Sequence, residues 1–360
     1  MKLVKIFSLI VLCLFFMCGC SVKDERTVIQ FASWGSKSEV DIIKPLIKDF
    51  EKENPDIKVD FMHIPQNYFR KIHLLFASNL APDVIFMNNL YLPVYANFLQ
   101  EMEVTNEFYP QALDALSYNG KLYAIPRDIS NLVIFYNKDL FDKNGISYPD
   151  ENWTFDDFLK TAQKLTNKDC FGVSFDEDPL FYLPYLMSNG GSFYEMDKPE
   201  SQNALQFYAD LRKKYHVAPL KSESASATMG QMFLQQRIAM YLSGHWMIPK
   251  LREEAAFVWD ITRFPKGTKG SIVPCDASGW AVSKSSAHKE EAFRLVKFLS
   301  SKDSAEKIKQ CGLIVSARKD VKESSKVFSD AIKTSVPTTV TADYREVLDN
   351  LKRDLESVFN

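Results

Sequence analysis

Apolar and polar positions alternate in two different periods over residues 27–89. "TVIQFASWG" reads as a strand that ends in a turn at Gly35. In "SEVDIIKPLIKDFEKENP", Val40, Ile43, Ile47 and Phe50 recur at helical spacing. Ser38 and Asp41 stand at capping-box spacing, Pro55 follows the end, and Pro45 is placed to kink the helix. "DIKVDFMHI" predicts a second strand, residues 66–78 a second helix, and "APDVIFMNN" a third strand. Strand, helix, strand, helix, strand in so short a span predicts a parallel α/β sheet. Such sheets bind ligands at the carboxyl ends of their strands. Those ends carry Ser33, Trp34, Asn88 and Asn89.

Residues 119–141, "NGKLYAIPRDISNLVIFYNKDLF", hold two strand-like runs, Lys121–Ile125 and Asn131–Asn137. Between them lie Pro126, Arg127, Asp128 and Ser130, too polar for a buried strand and too short for a helix. "NWTFDDFLKTAQKL" predicts a helix with Thr154 as N-cap and Asp157 completing a capping box. Residues 179–216 read as helical with a break at "SNGGSFYE". A helix, the strand "IAMYLSG" and a turn bearing His245 and Trp246 follow. "FVWDITRFPKG" and "GWAVSKSS" read as strands, "HKEEAFRLVKFLSS" as a helix, and the rest as charged helices.

Composition narrows the function. A formal net charge of −2 is not the basic balance of a nucleic-acid binder. The first 20 residues read as a signal segment: Lys2 and Lys5, the apolar run Ile6–Met17, then "MCGC". The run is short for a membrane span. Cys170, Cys275 and Cys311 are widely spaced and odd in number, giving no disulfide framework and no metal motif. The five His show no HExxH spacing, and neither a GxGxxG nor a GxxxxGK phosphate loop occurs. "DEDP" at 176–179 groups three carboxylates. A glycosidase needs two, about 5–10 Å apart across the bond, so this run reads as a solvated loop.

Several segments, in this order, resemble the extracellular solute-binding proteins of ABC importers, in the sugar-binding branch that includes maltose-binding protein. They are "FEKENPDIKV", "APDVIFM", "NGKLYAIPRDISNLVIFYNKDLF", "WTFDDFLKTAQKLT", "LMSNGGSF", "AMYLSGHW", "FPKGTKG" and "GWAVSKSSAHKEEAFRLVKFLSS". The resemblance implies a periplasmic-binding-protein-like α/β fold, two α/β lobes joined by hinge strands with a ligand cleft between them. It divides the chain into a signal peptide at 1–20, a tether at 21–26, an N-terminal lobe of 27–124 plus 264–310, and a C-terminal lobe of 125–263 plus 311–360. "MCGC" resembles a lipobox, making Cys20 the lipidated N-terminus of an extracytoplasmic, membrane-anchored protein.

The implied function is capture of a carbohydrate by lobe closure and delivery to the transmembrane subunits of an ABC permease. The protein would act as a monomer, without cofactor, metal, nucleic acid or catalysis. Asp128 and Ser130 would sit at the hinge, facing the cleft. Trp246 falls where the family places an aromatic under a sugar ring, and an indole offers a rigid apolar face with little side-chain entropy to lose. Trp34, Asn88 and Asn89 belong to cleft-lining strand ends. Gly279 and Trp280 fall on a cleft loop of the family, though Trp280 also suits a core. Tyr182 stands in a helix that supplies aromatics in the family, and Tyr344 matches a C-terminal cleft aromatic. Leu180, Leu183 and Met87 replace aromatics of maltose-binding protein, which points to a different ligand. The alternatives are a glycerol phosphoester held by Arg127 and Arg318, iron held by tyrosines, or a surface glycan-active enzyme.

Overall fold

The fold is described from a computed structural model covering residues 26–103, 106–224, 227–310 and 312–360. The signal segment and Cys20 lie outside the described residues, as does Cys311.

The strand and helix pattern of residues 27–89 forms as read. β1 (Thr27–Ser33), α1 (Lys37–Glu53), β2 (Ile57–His63), α2 (Tyr68–Ala77) and β3 (Val84–Asn88) build a unit in which β1 pairs in parallel with both β2 and β3. Two details of α1 differ from expectation. Its capping box is Ser36 with Glu39, not Ser38 with Asp41: the Glu39 carboxylate accepts the Ser36 N–H at 2.7 Å. Pro45 stands inside the helix without ending it. Its side is exposed, so the carbonyl that loses a partner is left to water.

A larger departure concerns 126–130. The segment read as too polar for a buried strand is part of one strand, β4 (Ile125–Asn137). A strand tolerates these polar residues because alternate side chains leave on opposite faces. α3 (Phe155–Leu165) starts at the Thr154–Asp157 capping box as expected. β5 (Phe171–Val173), α4 (Pro179–Ser188), α5 (Pro199–Lys213), β6 (Ile238–Gly244), β7 (Trp259–Thr262) and β8 (Pro274–Val282) follow. α6 (Lys289–Leu299), β9 (Val315–Ser316), α7 (Lys326–Thr334), β10 (Val336–Pro337) and α8 (Tyr344–Phe359) complete the elements used below.

Among the described residues the strands join in the order β2-β1-β3-β8-β4-β6-β5, with β7 and β9 also on β4 and β10 on β8. β4 serves both halves of this sheet. Residues 125–131 pair with β8, and 132–137 pair with β6 and β7. β8 in turn pairs antiparallel with β3. One apolar cluster gathers around Phe31, Phe50, Phe86 and Trp280. The other gathers around Phe158, Tyr185, Tyr208 and Phe359. β4 contributes to both clusters, Ile129 and Phe135 to the first and Leu132 and Ile134 to the second.

"DEDP" is not a free loop. Asp178 caps α4 by accepting from Leu180 N–H at 3.1 Å, Asp176 accepts the Asp178 N–H, and Glu177 pairs with Arg212 at 2.9 Å. Burial raises the Asp176 pKa; burial also works upward on Glu177, but the hydrogen bond of Arg212 and the charges of Lys221 and Arg212 outweigh it and hold Glu177 below the usual range. Three adjacent carboxylates thus start a helix and fix its neighbour.

Candidate functional site

A cleft of about 920 Å³ opens where the carboxyl ends of β1 and β3 meet the two strands β4 and β8. Trp34 leaves β1 into one wall, 45% exposed, with its ring 5.8 Å from that of Phe86. Trp246 stands in the turn after β6, 39% exposed. Three strands, β3, β8 and β4, lie between the strands that carry these two indoles. Trp246 is seated by Gly244. Its ring lies across the glycine so closely that a Cβ there would overlap it.

The floor is polar. Asn88 ends β3 and Asn89 follows it, Asp128 and Ser130 come from β4, and Asp276 and Ser278 come from β8. Arg127 is buried and donates through Nε to Asp128 Oδ2 at 2.5 Å. Its Nη1 stands 3.2 Å from Glu39 Oε1, the residue that caps α1. The guanidinium also lies over the rings of Phe86 and Trp280, at 5.1 and 5.5 Å. Ser278 donates to the same Asp128 oxygen at 2.7 Å. Asp128 is therefore anchored from below through one oxygen.

Asn89 is a clasp between β3 and β8. Its amide donates to Asp276 Oδ1 at 2.9 Å and its carbonyl accepts the Ala277 N–H at 3.2 Å. Burial pushes the Asp276 pKa up, and the hydrogen bond of Asn89 opposes that rise. Lys37, Asp41 and Lys44 of α1, with His63, line the mouth, where Lys37 and Asp41 are paired at 2.7 Å.

The structure thus brings together Trp34, Asn88, Asn89, Asp128, Ser130 and Trp246 in one cleft. It places the other four elsewhere. Gly279 and Trp280 lie in β8 rather than in a loop, and Trp280 is fully buried against Phe31 and Phe86. Gly279 sits at a bulge, where a Cβ would strike the carbonyl of Ile125. Tyr182 is buried among Phe193, Tyr208 and Phe359, and Tyr344 is buried at the start of α8. Their pattern as aromatics of a helix is shared by core residues, so the sequence could not separate the two roles. His245 is buried against Phe328, and desolvation pulls its pKa down. Sequence reading missed Glu39, Phe86, Asp276 and Ser278. The signal for the last two was period-2 alternation in "PCDASGW", with Asp276 and Ser278 on the same face as Asp128 and Ser130 once the strands pair.

Chemically, this is a concave site with apolar ring faces at two walls and clustered acceptors and hydroxyls between them. Among the described residues no group of three His, Cys, Asp or Glu could hold a metal ion.

Comparison with known proteins agrees with this architecture. The galactooligosaccharide-binding protein of Bacillus subtilis (strain 168) is 25% identical, over 96% of this chain and 90% of its own length. The ABC substrate-binding protein Lmo0181 from Listeria monocytogenes, solved in complex with cycloalternan, superposes with a TM-score of 0.82 at 27% identity, covering 93% of this chain and 94% of that one. Maltose-bound MalE3 of T. maritima shares the fold, with a TM-score of 0.77 at 22% identity over 92% and 94% of the two chains. These relatives are binding proteins, not enzymes. Residues 35–306 match the family described as bacterial extracellular solute-binding protein, and the chain belongs to that family.

Proposed function

We propose that this protein is the substrate-binding component of an ABC importer, and that it captures a sugar or oligosaccharide in the cleft and delivers it to the permease. The observation that carries this reading is the pair of half-exposed indoles, Trp34 and Trp246, on opposite sides of a polar floor. Indole faces cover sugar C–H groups, and the carboxylates, amides and hydroxyls between them match sugar hydroxyls. The relative named for galactooligosaccharide and the one solved in complex with cycloalternan support a saccharide. The arginines a phosphoester would need are engaged. Arg127 is held by Glu39 and Asp128, and Arg318 by Asp320 and the Ser300 carbonyl.

On this reading residues 27–124 with 264–310 form one lobe, and 125–263 with 311–360 the other. The solute binds the closed arrangement better than the open one, and that difference drives closure. Cys20 carries the lipid that holds the protein at the outer side of the cell membrane, where it works as a monomer. The family's extracellular character supports that location.

The test is thermal melting of soluble protein starting at Ser21, against mono- and oligosaccharides, polyols and glycerol phosphates. Ligand at a hundredfold over its dissociation constant stabilises by about 2.7 kcal/mol. For a chain of this size that is a shift of about 4 °C. A shift with one sugar class, the sugar recovered intact, is expected; a shift with phosphates alone overturns the saccharide reading. Metabolic labelling with a fatty acid tests the anchor: Cys20→Ala must abolish it.

A further inference from the structure

Four of the floor residues form a pattern that carries more than a general affinity for hydroxyls. In β4, Asp128 and Ser130 alternate with Ile129; in β8, Asp276 and Ser278 alternate with Ala277. Ile129 and Ala277 are buried in the apolar cluster, so the four polar residues share the opposite, cleft-facing side. The strand register sets Ser278 opposite Asp128 and Asp276 opposite Ser130. Each acid faces a serine, and the two carboxylates fall on a diagonal. Diagonal neighbours in such a ladder stand about 7 Å apart.

The two acids are not equivalent. Asp128 has a cation, Arg127, which it shares with Glu39. The side chain that hydrogen-bonds the Asp276 carboxylate is that of Asn89, which is neutral. Among the described residues of the floor, the carboxylates of Glu39, Asp128 and Asp276 thus face one guanidinium. The lysines that line the cleft, Lys37 and Lys44, are exposed at its mouth, where water screens them. Ionised carboxylates only accept hydrogen bonds. A ligand that donates, through hydroxyls or an amine, finds partners on this floor. A ligand anion meets acceptors and surplus negative charge at a site where it must give up its water.

We propose that the Asp–Ser checkerboard of β4 and β8 sets the charge class of the solute. It admits neutral or amine-bearing saccharides and turns away anionic ones such as uronates and sugar phosphates. Asp276 is the specificity-determining residue. This deepens the saccharide reading above and rests on it.

The experiment is calorimetric titration of the intact mature protein with charge-matched oligosaccharide series. Each series holds one backbone as the neutral sugar, its amino-sugar counterpart and its uronate, in a glucose and a galactose set. The expected result is that the uronate of any bound series binds at least tenfold more weakly than the neutral member, while the amine-bearing member does not. Asp276→Asn keeps an acceptor for the Asn89 amide and removes the charge, and it brings the uronate to within about threefold of the neutral sugar. Asp276→Ser, smaller and equally uncharged, serves as a second variant, and the melting curve of each ligand-free variant reports its folding. Wild-type protein that binds uronate and neutral sugar within threefold overturns the proposal and leaves the saccharide reading standing. So does a folded variant with the gap unchanged. Failure of every sugar to bind overturns both.

Discussion

Arg127→Met removes the cation that two buried carboxylates share. The Arg127 side chain is 4% exposed, those of Glu39 and Asp128 are 7% and 11%, and the contacts are 3.2 and 2.5 Å. Removing one partner of a buried ion pair costs about 3–5 kcal/mol, because the charge left behind has neither water nor counter-ion. The lost contacts with Phe86 and Trp280 add to this, and methionine restores part of that packing. A total near 4 kcal/mol is expected. With an unfolding entropy of about 2.1 cal/mol/K per residue over roughly 330 residues, the midpoint falls by about 6 °C. Differential scanning calorimetry reads this directly. A double-mutant cycle with Glu39→Gln then isolates the pair. The glutamine still accepts the Ser36 N–H, so the cap survives while the charge is gone. The double variant is expected to be more stable than the sum of the single losses implies, by at least about 1 kcal/mol. A midpoint drop below about 2 °C, or strict additivity in the cycle, would refute the claim that Arg127 neutralises Glu39.

Three further outcomes follow from the same geometry. Gly244→Ala forces the Trp246 ring off its seat; sugar affinity is expected to fall as far as in Trp246→Ala, roughly tenfold or more, in titration calorimetry. Asp276 has its folded-state pKa raised, so its contribution to stability is fully present below the ordinary aspartate range and is lost as pH rises through the raised value. Asp276→Asn should therefore melt higher than wild type at neutral pH, with the advantage vanishing as pH falls below about 4; an advantage that persists at pH 3 contradicts the assignment. Burial pushes the thiols of Cys170 and Cys275 up to about 12, so neither should react with a thiol reagent in the folded protein at pH 8, and both should react once it is unfolded, as peptide mass mapping reports.

The elements were legible because their periods are strong. Val40, Ile43, Ile47 and Phe50 define α1 whatever surrounds it, and Thr154 with Asp157 marks the start of α3 by local chemistry. The true cap of α1 was missed by two residues because Ser36–Glu39 and Ser38–Asp41 both have the spacing. Glu39 wins because the same carboxylate also meets Arg127, a contact 88 residues away in sequence. The misreading of 126–130 has the same origin. Pro126, Arg127 and Asp128 look like turn residues until β8 arrives from beyond position 270 to pair with them. Aromatics behaved alike. Trp34 and Trp246 reach the cleft and Trp280 and Tyr182 fill cores, although all four are aromatic; only the burial of neighbouring elements tells them apart.

What long-range pairing added is the placement of the site on the strand that both halves of the sheet share. Asp128, Ser130, Asp276 and Ser278 ride on the two central strands, and β4 is itself continuous from one half of the sheet to the other. Trp34 and Trp246 ride on strands to either side. A solute held by the floor alone would bind with little dependence on how the halves are set. On the proposed function, one that also touches both indoles gains only when the walls approach, so the indoles would supply the differential affinity that closure requires. On the proposed function the two groups therefore have separable roles. Floor substitutions such as Asp276→Asn should change which solute is accepted while preserving the compaction seen on binding. Trp246→Ala should leave the order of solutes intact and diminish the ligand-induced fall in radius of gyration measured by small-angle scattering. If Trp246→Ala at saturating sugar compacts as fully as wild type, the walls do not drive closure, and the floor on β4 and β8 must bias it alone.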